Sequence, residues 1–112
     1  MKLPNAQLAV VAQEKICDYL LNPAHPDNGG KAAFFLALGF TREDWPRLAA
    51  ALRQLAVATN IAKSMVSPHG QKYILDGRIE SLSGRTPLVR TIWIVDAGQD
   101  VPRLVTAYPC ED

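Results

Sequence analysis

An α+β domain, with amino-terminal helices packed on one face of a carboxyl-terminal antiparallel sheet, is what three features of this 112-residue sequence predict. Up to about Val57 the apolar residues recur at three- and four-residue steps. From Gln71 onward they fall in short strand-like runs divided by turn residues, and Gly- and Pro-rich segments separate the elements. At this length the chain reads as a single domain, residues 1–112, able to bury a core without metal or disulfide support.

After Pro4 and Asn5, Gln13 to Leu21 carries Ile16, Cys17, Leu20 and Leu21 at helical spacing, and Asn22-Pro23 ends that helix. Leu8 to Val11 is β-prone and too short for periodicity to assign. Pro23 to Gly30 holds two prolines and two glycines beside Asp and Asn, so it reads as a loop. Lys31 to Leu38 forms a second helix that turns Phe34, Phe35 and Leu38 to the core, with Gly39 at its left-handed end. Thr41 followed by Asp44 resembles a capping arrangement for a third helix, in which Trp45, Leu48, Leu52 and Leu55 line one face and Pro46 falls in the first turn. Thr59 to Gly70 breaks the pattern and reads as a mobile connector. Gln71–Ile79, Leu88–Val95 and Arg103–Tyr108 are then the three strands of a meander.

Hydrophobic residues make up 48% of the chain and charged residues 21%, which excludes a disordered tail or a repeat array. A formal charge of +1 excludes coating of nucleic acid by bulk electrostatics, so any phosphate site has to be local. No apolar run reaches the length of a membrane span and no cleavable signal pattern is present, so a cytoplasmic protein without membrane association is expected. Cys17 and Cys110 stand far apart without a second pair, His-Glu-x-x-His is absent, and neither a metal nor another cofactor is expected.

The candidate chemistry concentrates in the last third. Gly84-Arg85-Thr86 and the run from Val89 to Trp93 set guanidinium and hydroxyl groups along apolar strands, and Arg103, Thr106 and Tyr108 continue the pattern. The last hairpin admits two registers. In one, Arg90 and Arg103 share a face while Thr91, Trp93, Thr106 and Tyr108 share the other; in the second, Arg90 sits with Thr106 and Tyr108. Either arrangement gathers donors that bind phosphate. The competing reading makes Trp93 and Tyr108 core aromatics and leaves the arginines solvated.

Both histidines, His25 and His69, stand in breaker-rich loops, where imidazole can exchange a proton near neutral pH. Two such rings with Lys31 or an arginine between them would suffice to cleave RNA without metal. The plainer reading of each is an exposed loop side chain. Gly29-Gly30-Lys31 opens a helix and offers at most a weak anion site, because it lacks the spacing of a nucleotide-binding loop.

Nearly the whole chain resembles a family of small bacterial domains of unassigned function, through Lys2 to Ala6 (KLPNA), Lys15 to His25 (KICDYLLNPAH), Gly30 to Ala32, Leu38 to Phe40, Val89 to Trp93 (VRTIW) and Pro102 to Pro109 (PRLVTAYP). Such domains occur alone and as carboxyl-terminal toxin-like modules, and their order of helices then sheet is similar to the barnase/RelE-like class of metal-independent ribonucleases. The resemblance implies catalytic positions at His25, Lys31, Arg90, Arg103, Thr106 and Tyr108; from the residues themselves, Arg85, Thr91, Trp93 and His69 are the candidates for contact with the substrate. His69 departs from the family's pattern, which would leave Tyr108 or Lys31 to take the second proton role. A toxin-like endoribonuclease acting on RNA, held in check by a cognate neutralising protein, is the expectation. The alternative is a non-catalytic interaction module or an antitoxin- or immunity-type partner, because Arg, Tyr and Trp also dominate protein interfaces.

Overall fold

Four antiparallel strands lie side by side in chain order: β1 (Lys63–Ser67), β2 (Gly70–Arg78), β3 (Leu88–Asp96) and β4 (Arg103–Pro109). The structure, a computed structural model, describes residues 1–110. Ahead of the sheet come a 3-10 turn at Ala6–Leu8 and helix α1 (Gln13–Lys15), which runs on into a π-helical turn at Ile16–Leu20; α2 (Lys31–Ala37) and α3 (Trp45–Ala58) follow. The fold is α+β. Among the described residues no helix is long and apolar enough to cross a membrane.

The helices cover one face of the sheet. Ile16, Leu20, Phe35, Leu48 and Leu52 from the helical half meet Leu75, Val89, Trp93 and Ala107 from the sheet in one buried cluster. Gly77 lets α3 come close: a Cβ there would lie 2.6 Å from Thr59 Oγ1 and 3.0 Å from Leu55. Gly39 ends the α2 segment at φ +97°, as its left-handed role requires. Asp44, not Thr41, precedes the first residue of α3. Thr41 Oγ1 instead accepts the Asp44 N–H at 3.2 Å and fixes the turn leading in.

Two local expectations are corrected. Residues 63–67 are a strand rather than part of a mobile connector, so the sheet has four strands and not three. The strand was hidden because β1 is an edge: its first four residues are exposed, and nothing forces the apolar alternation that marks a half-buried strand. The turn at Pro68-His69 relies on Gly70, whose φ is +145° and whose added Cβ would meet the Val95 carbonyl oxygen at 2.2 Å. Near the amino end, Val10 makes a single parallel bridge to Arg103, short of the strand considered for Leu8 to Val11.

The β3–β4 pairing decides between the registers. Arg90 faces Tyr108, Thr91 faces Ala107 and Ile92 faces Thr106, after which the ladder slips by one residue so that Leu104 faces Trp93 and Arg103 faces Ile94. Directly paired residues share a face. Arg90, Thr106 and Tyr108 therefore stand together on the face turned away from the core, as in the second register. The irregularity brings Arg103 to that face too, which neither unbroken register allows.

Candidate functional site

The helical half reaches round the β4 edge to meet this outer face. The wider π-helical turn at Ile16–Leu20 keeps Ile16 and Leu20 fully buried while Tyr19 remains half-buried beside β4. Asn28, 3% exposed, then ties the 22–30 loop down: its Nδ2 donates to the Tyr19 carbonyl at 2.7 Å and its Oδ1 accepts the Ala32 N–H at 2.8 Å. Gly29 and Gly30, at φ +62° and +89°, swing the chain into α2, and Lys31 emerges as its first residue.

Lys31 is the hub. Its Nζ donates a hydrogen bond to the Tyr19 hydroxyl, lies 4.8 Å from the centroid of the Tyr19 ring and 5.8 Å from that of Tyr108. With the lysine proton directed at the Tyr19 oxygen, the phenol's own proton is free to go to Thr106 Oγ1, 3.2 Å away. Lys15 Nζ stands 5.1 Å from the Tyr19 ring, and the His25 ring packs edge-on against it at 5.0 Å between centroids. A cleft of about 360 Å³ opens beside them, walled by Gly29, Gly30, Lys31, Tyr108 and Pro109. Burial opposes ionisation of the Tyr19 phenol; the hydrogen bonds from Lys31 and Thr106 and the charges of Lys31 and Lys15 outweigh it and bring its pKa below the ordinary value.

Next to this cluster Arg90 grips Asp76 across the sheet, Nε to Oδ1 at 2.8 Å and Nη2 to Oδ2 at 2.9 Å. Asp76 first, and Tyr108 after it, hold the guanidinium charged, while Arg90 keeps the Asp76 carboxyl below the usual carboxylate range. Asp76 balances Arg90, whereas Lys31 and Lys15 have no carboxylate partner among the described residues, and of these two Lys31 is the one that lines the cleft.

A family described as a domain of unknown function matches residues 2–111 of the sequence. The chain belongs to the DUF6883 family. Among solved structures, a chain from a contact-dependent growth inhibition toxin–immunity protein complex of Klebsiella pneumoniae 342 is similar to it. The two share a TM-score of 0.73 and 18% identity over 90% of this chain and 99% of that one. At that identity the likeness establishes the fold alone. No curated protein matches.

Of the positions singled out in this DUF6883 chain, His25, Lys31, Arg90, Thr106 and Tyr108 come together, all half-buried, at the carboxyl-terminal end of β4. Arg103 does not join them. It is bound to Asp96 at 2.7 and 3.0 Å, and stands four residues along the ladder from the Arg90 position, roughly 13 Å at strand rise. His69 sits farther still, at the tip of the β1–β2 turn, where its carbonyl accepts the Ala97 N–H at 3.0 Å. The two imidazoles therefore do not flank one site, and a two-histidine mechanism has no geometric basis. Thr91 and Trp93 are both 0% exposed on the core face; Trp93 Nε1 donates to Thr91 Oγ1 at 2.8 Å and Thr91 Oγ1 donates to the Leu75 carbonyl at 3.1 Å. Neither can touch a substrate. Arg85 is exposed in the 79–87 loop, outside the cluster.

His25 is also constrained. Its Nδ1 accepts the Asp27 N–H at 3.1 Å, so the neutral ring carries its proton on Nε2 and presents a donor. Sequence reasoning missed Tyr19 and Asp76. A four-residue step from Lys15 to Tyr19 was the one available signal for the first, whereas Asp76 becomes visible only once β2 is paired with β3. A larger cleft of about 740 Å³ lies between α3 and the 79–87 loop, but its walls hold no phenol or imidazole, and its Arg47 is bound to Asp44 at 2.7 Å. Among the described residues no three His, Cys, Asp or Glu side chains are grouped so as to hold a metal ion.

Two consequences are measurable. Asn28→Ala leaves the Tyr19 carbonyl and the Ala32 N–H without their partner and is expected to cost about 1–3 kcal/mol in urea unfolding. Tyr19 has its pKa lowered on folding, so its ionisation adds stability only at alkaline pH, and that gain disappears as pH falls through the folded value. In an absorbance titration of the folded chain, the first phenolate to form on raising pH is expected to be that of Tyr19. Tyr19→Phe should remove that step, and Lys31→Met should move it to higher pH.

Proposed function

We propose that this chain is a toxin-like, metal-independent endoribonuclease acting as a single domain over residues 1–112, with its reaction centre at Tyr19, Lys31, Thr106, Tyr108 and Arg90. The observation that carries the reading is the Lys31 ammonium set between two phenols, beside a hydroxyl and at the mouth of a cleft. A phosphodiester lodged there meets Lys31 as its counter-charge, with the Asp76-paired Arg90 beside Tyr108 and the Thr106 hydroxyl held on the Tyr19 phenolate. The ribose 2′-oxygen attacks phosphorus as Tyr19, in its phenolate form, takes the hydroxyl proton. The bond from phosphorus to the 5′-oxygen breaks and the leaving oxygen receives a proton from Tyr108. The products are a 2′,3′-cyclic phosphate and a 5′-hydroxyl, with charge and protons balanced. His25, edge-on against the Tyr19 ring, supplies an Nε2–H donor.

A neutralising partner protein and action in the cytoplasm belong to the same reading. It draws support from the shared fold with a chain of a toxin–immunity complex. One observation favours a second reading, a non-catalytic immunity-type module: Arg90 and Arg103 are both engaged by carboxylates of their own chain. Induced expression of wild type, His25→Ala and Lys31→Met in growing cells separates the two. Wild type should stop growth and fragment RNA, Lys31→Met should do neither, and intact RNA with normal growth in all three would refute the nuclease.

A further inference from the structure

We infer that the free edge of β1 is a docking site for an extended strand of a partner protein, running antiparallel to Lys63–Ser67 and carrying a carboxylate opposite Lys63 and an apolar residue opposite Val66. The inference is independent of the nuclease reading, since β1 and β4 are opposite edges of the sheet. An edge strand carries unpaired N–H and C=O groups, and proteins usually blunt it with a bulge, proline or charged side chains, lysine above all. Lys63–Ser67 holds no bulge and no proline, and its one charged residue, Lys63, stands at its start.

Ser67 and Gly70 close a two-residue turn and form a hydrogen-bonded pair, so by alternation the amides of Ser64 and Val66 point away from β2. Val66 is 83% exposed and Met65 38%, apolar surface on both faces of an open edge. The edge already accepts main chain in the proposed sense: just before β1 the amino-terminal residues run antiparallel to it, with Lys2 bridged to Asn60 and the Ile61 N–H donating to the Met1 carbonyl at 2.7 Å.

Charge selects the occupant. Lys63 and Lys72 stand diagonally on the outer face, and neither has an ion-pair partner among the described residues. An acidic side chain opposite Lys63 pairs with that lysine, while Lys72, two strands away at roughly 10 Å or more, adds to the positive field of the same face. A second copy of the chain would instead place Ser67 there, leaving the lysines unanswered. Such strand addition uses main-chain hydrogen bonds for affinity and alternate side chains for selection.

The test is a titration of the isotope-labelled chain with the capped peptide acetyl-Thr-Val-Val-Thr-Glu-Thr-amide, and with its counterpart in which Lys replaces Glu, followed by amide chemical shifts. Saturable shifts centred on Ser64 and Val66 are expected, stronger for the acidic peptide. Lys63→Glu should weaken the acidic peptide by about threefold to fivefold and reverse the preference. Val66→Pro, which removes an outward donor from an edge strand, should abolish the shifts while the remaining spectrum is retained. Absence of saturable shifts, equal response to both peptides, or concentration-dependent dimerisation through β1 without peptide would overturn the inference.

Discussion

Trp93→Ala is expected to remove about 3–5 kcal/mol from the unfolding free energy, a large part of the total for a domain of this size. The indole is 0% exposed against the helical layer, so its removal leaves a cavity. The loss also takes away the Nε1–H that satisfies Thr91 Oγ1, the relay through which β3 is tied to the Leu75 carbonyl on β2. Trp93→Phe keeps most of the volume and loses the donor, so its smaller deficit isolates the hydrogen bond. Guanidinium unfolding midpoints of the three proteins, at unchanged slope, provide the comparison.

Lys31→Met is expected to leave the fold intact and lower RNA cleavage by about 10²–10³-fold, the size of effect seen when one preorganised donor to a developing oxyanion is removed. Met keeps an unbranched apolar side chain of similar length and deletes the ammonium that stands beside the Tyr19 and Tyr108 rings. Lys31→Arg is not a conservative control, since a planar fork cannot reproduce a point charge held between two rings. His69→Ala is the appropriate one: it lies at the far end of the sheet and should cleave like wild type.

The α+β order and the strands of the carboxyl-terminal half were legible because they bury a face, and burial writes its period into the sequence. β1 was not, because an exposed edge owes its conformation to the main-chain ladder with β2 rather than to its side chains. Within the site, the residues of β3 and β4 could be named but not assigned to a face: a slip between Ile92 and Trp93 determines where Arg103 points, and no composition rule forecasts it. The partnership of His25 and Lys31 with β4 runs through Tyr19, whose placement depends on a π-helical turn and on the buried amide of Asn28. Those are tertiary facts. The same pairing that brings Arg90 to Tyr108 also brings it to Asp76, so a residue legible as a free cation is half of an ion pair.

End-group analysis of RNA incubated with purified chain in chelator tests the central claim most directly. Wild type is predicted to leave 2′,3′-cyclic phosphate and 5′-hydroxyl ends, Tyr19→Phe and Lys31→Met to leave the RNA whole, and His69→Ala to match wild type. Intact RNA with wild type, or cyclic-phosphate ends produced at the wild-type rate by Lys31→Met, would contradict the account.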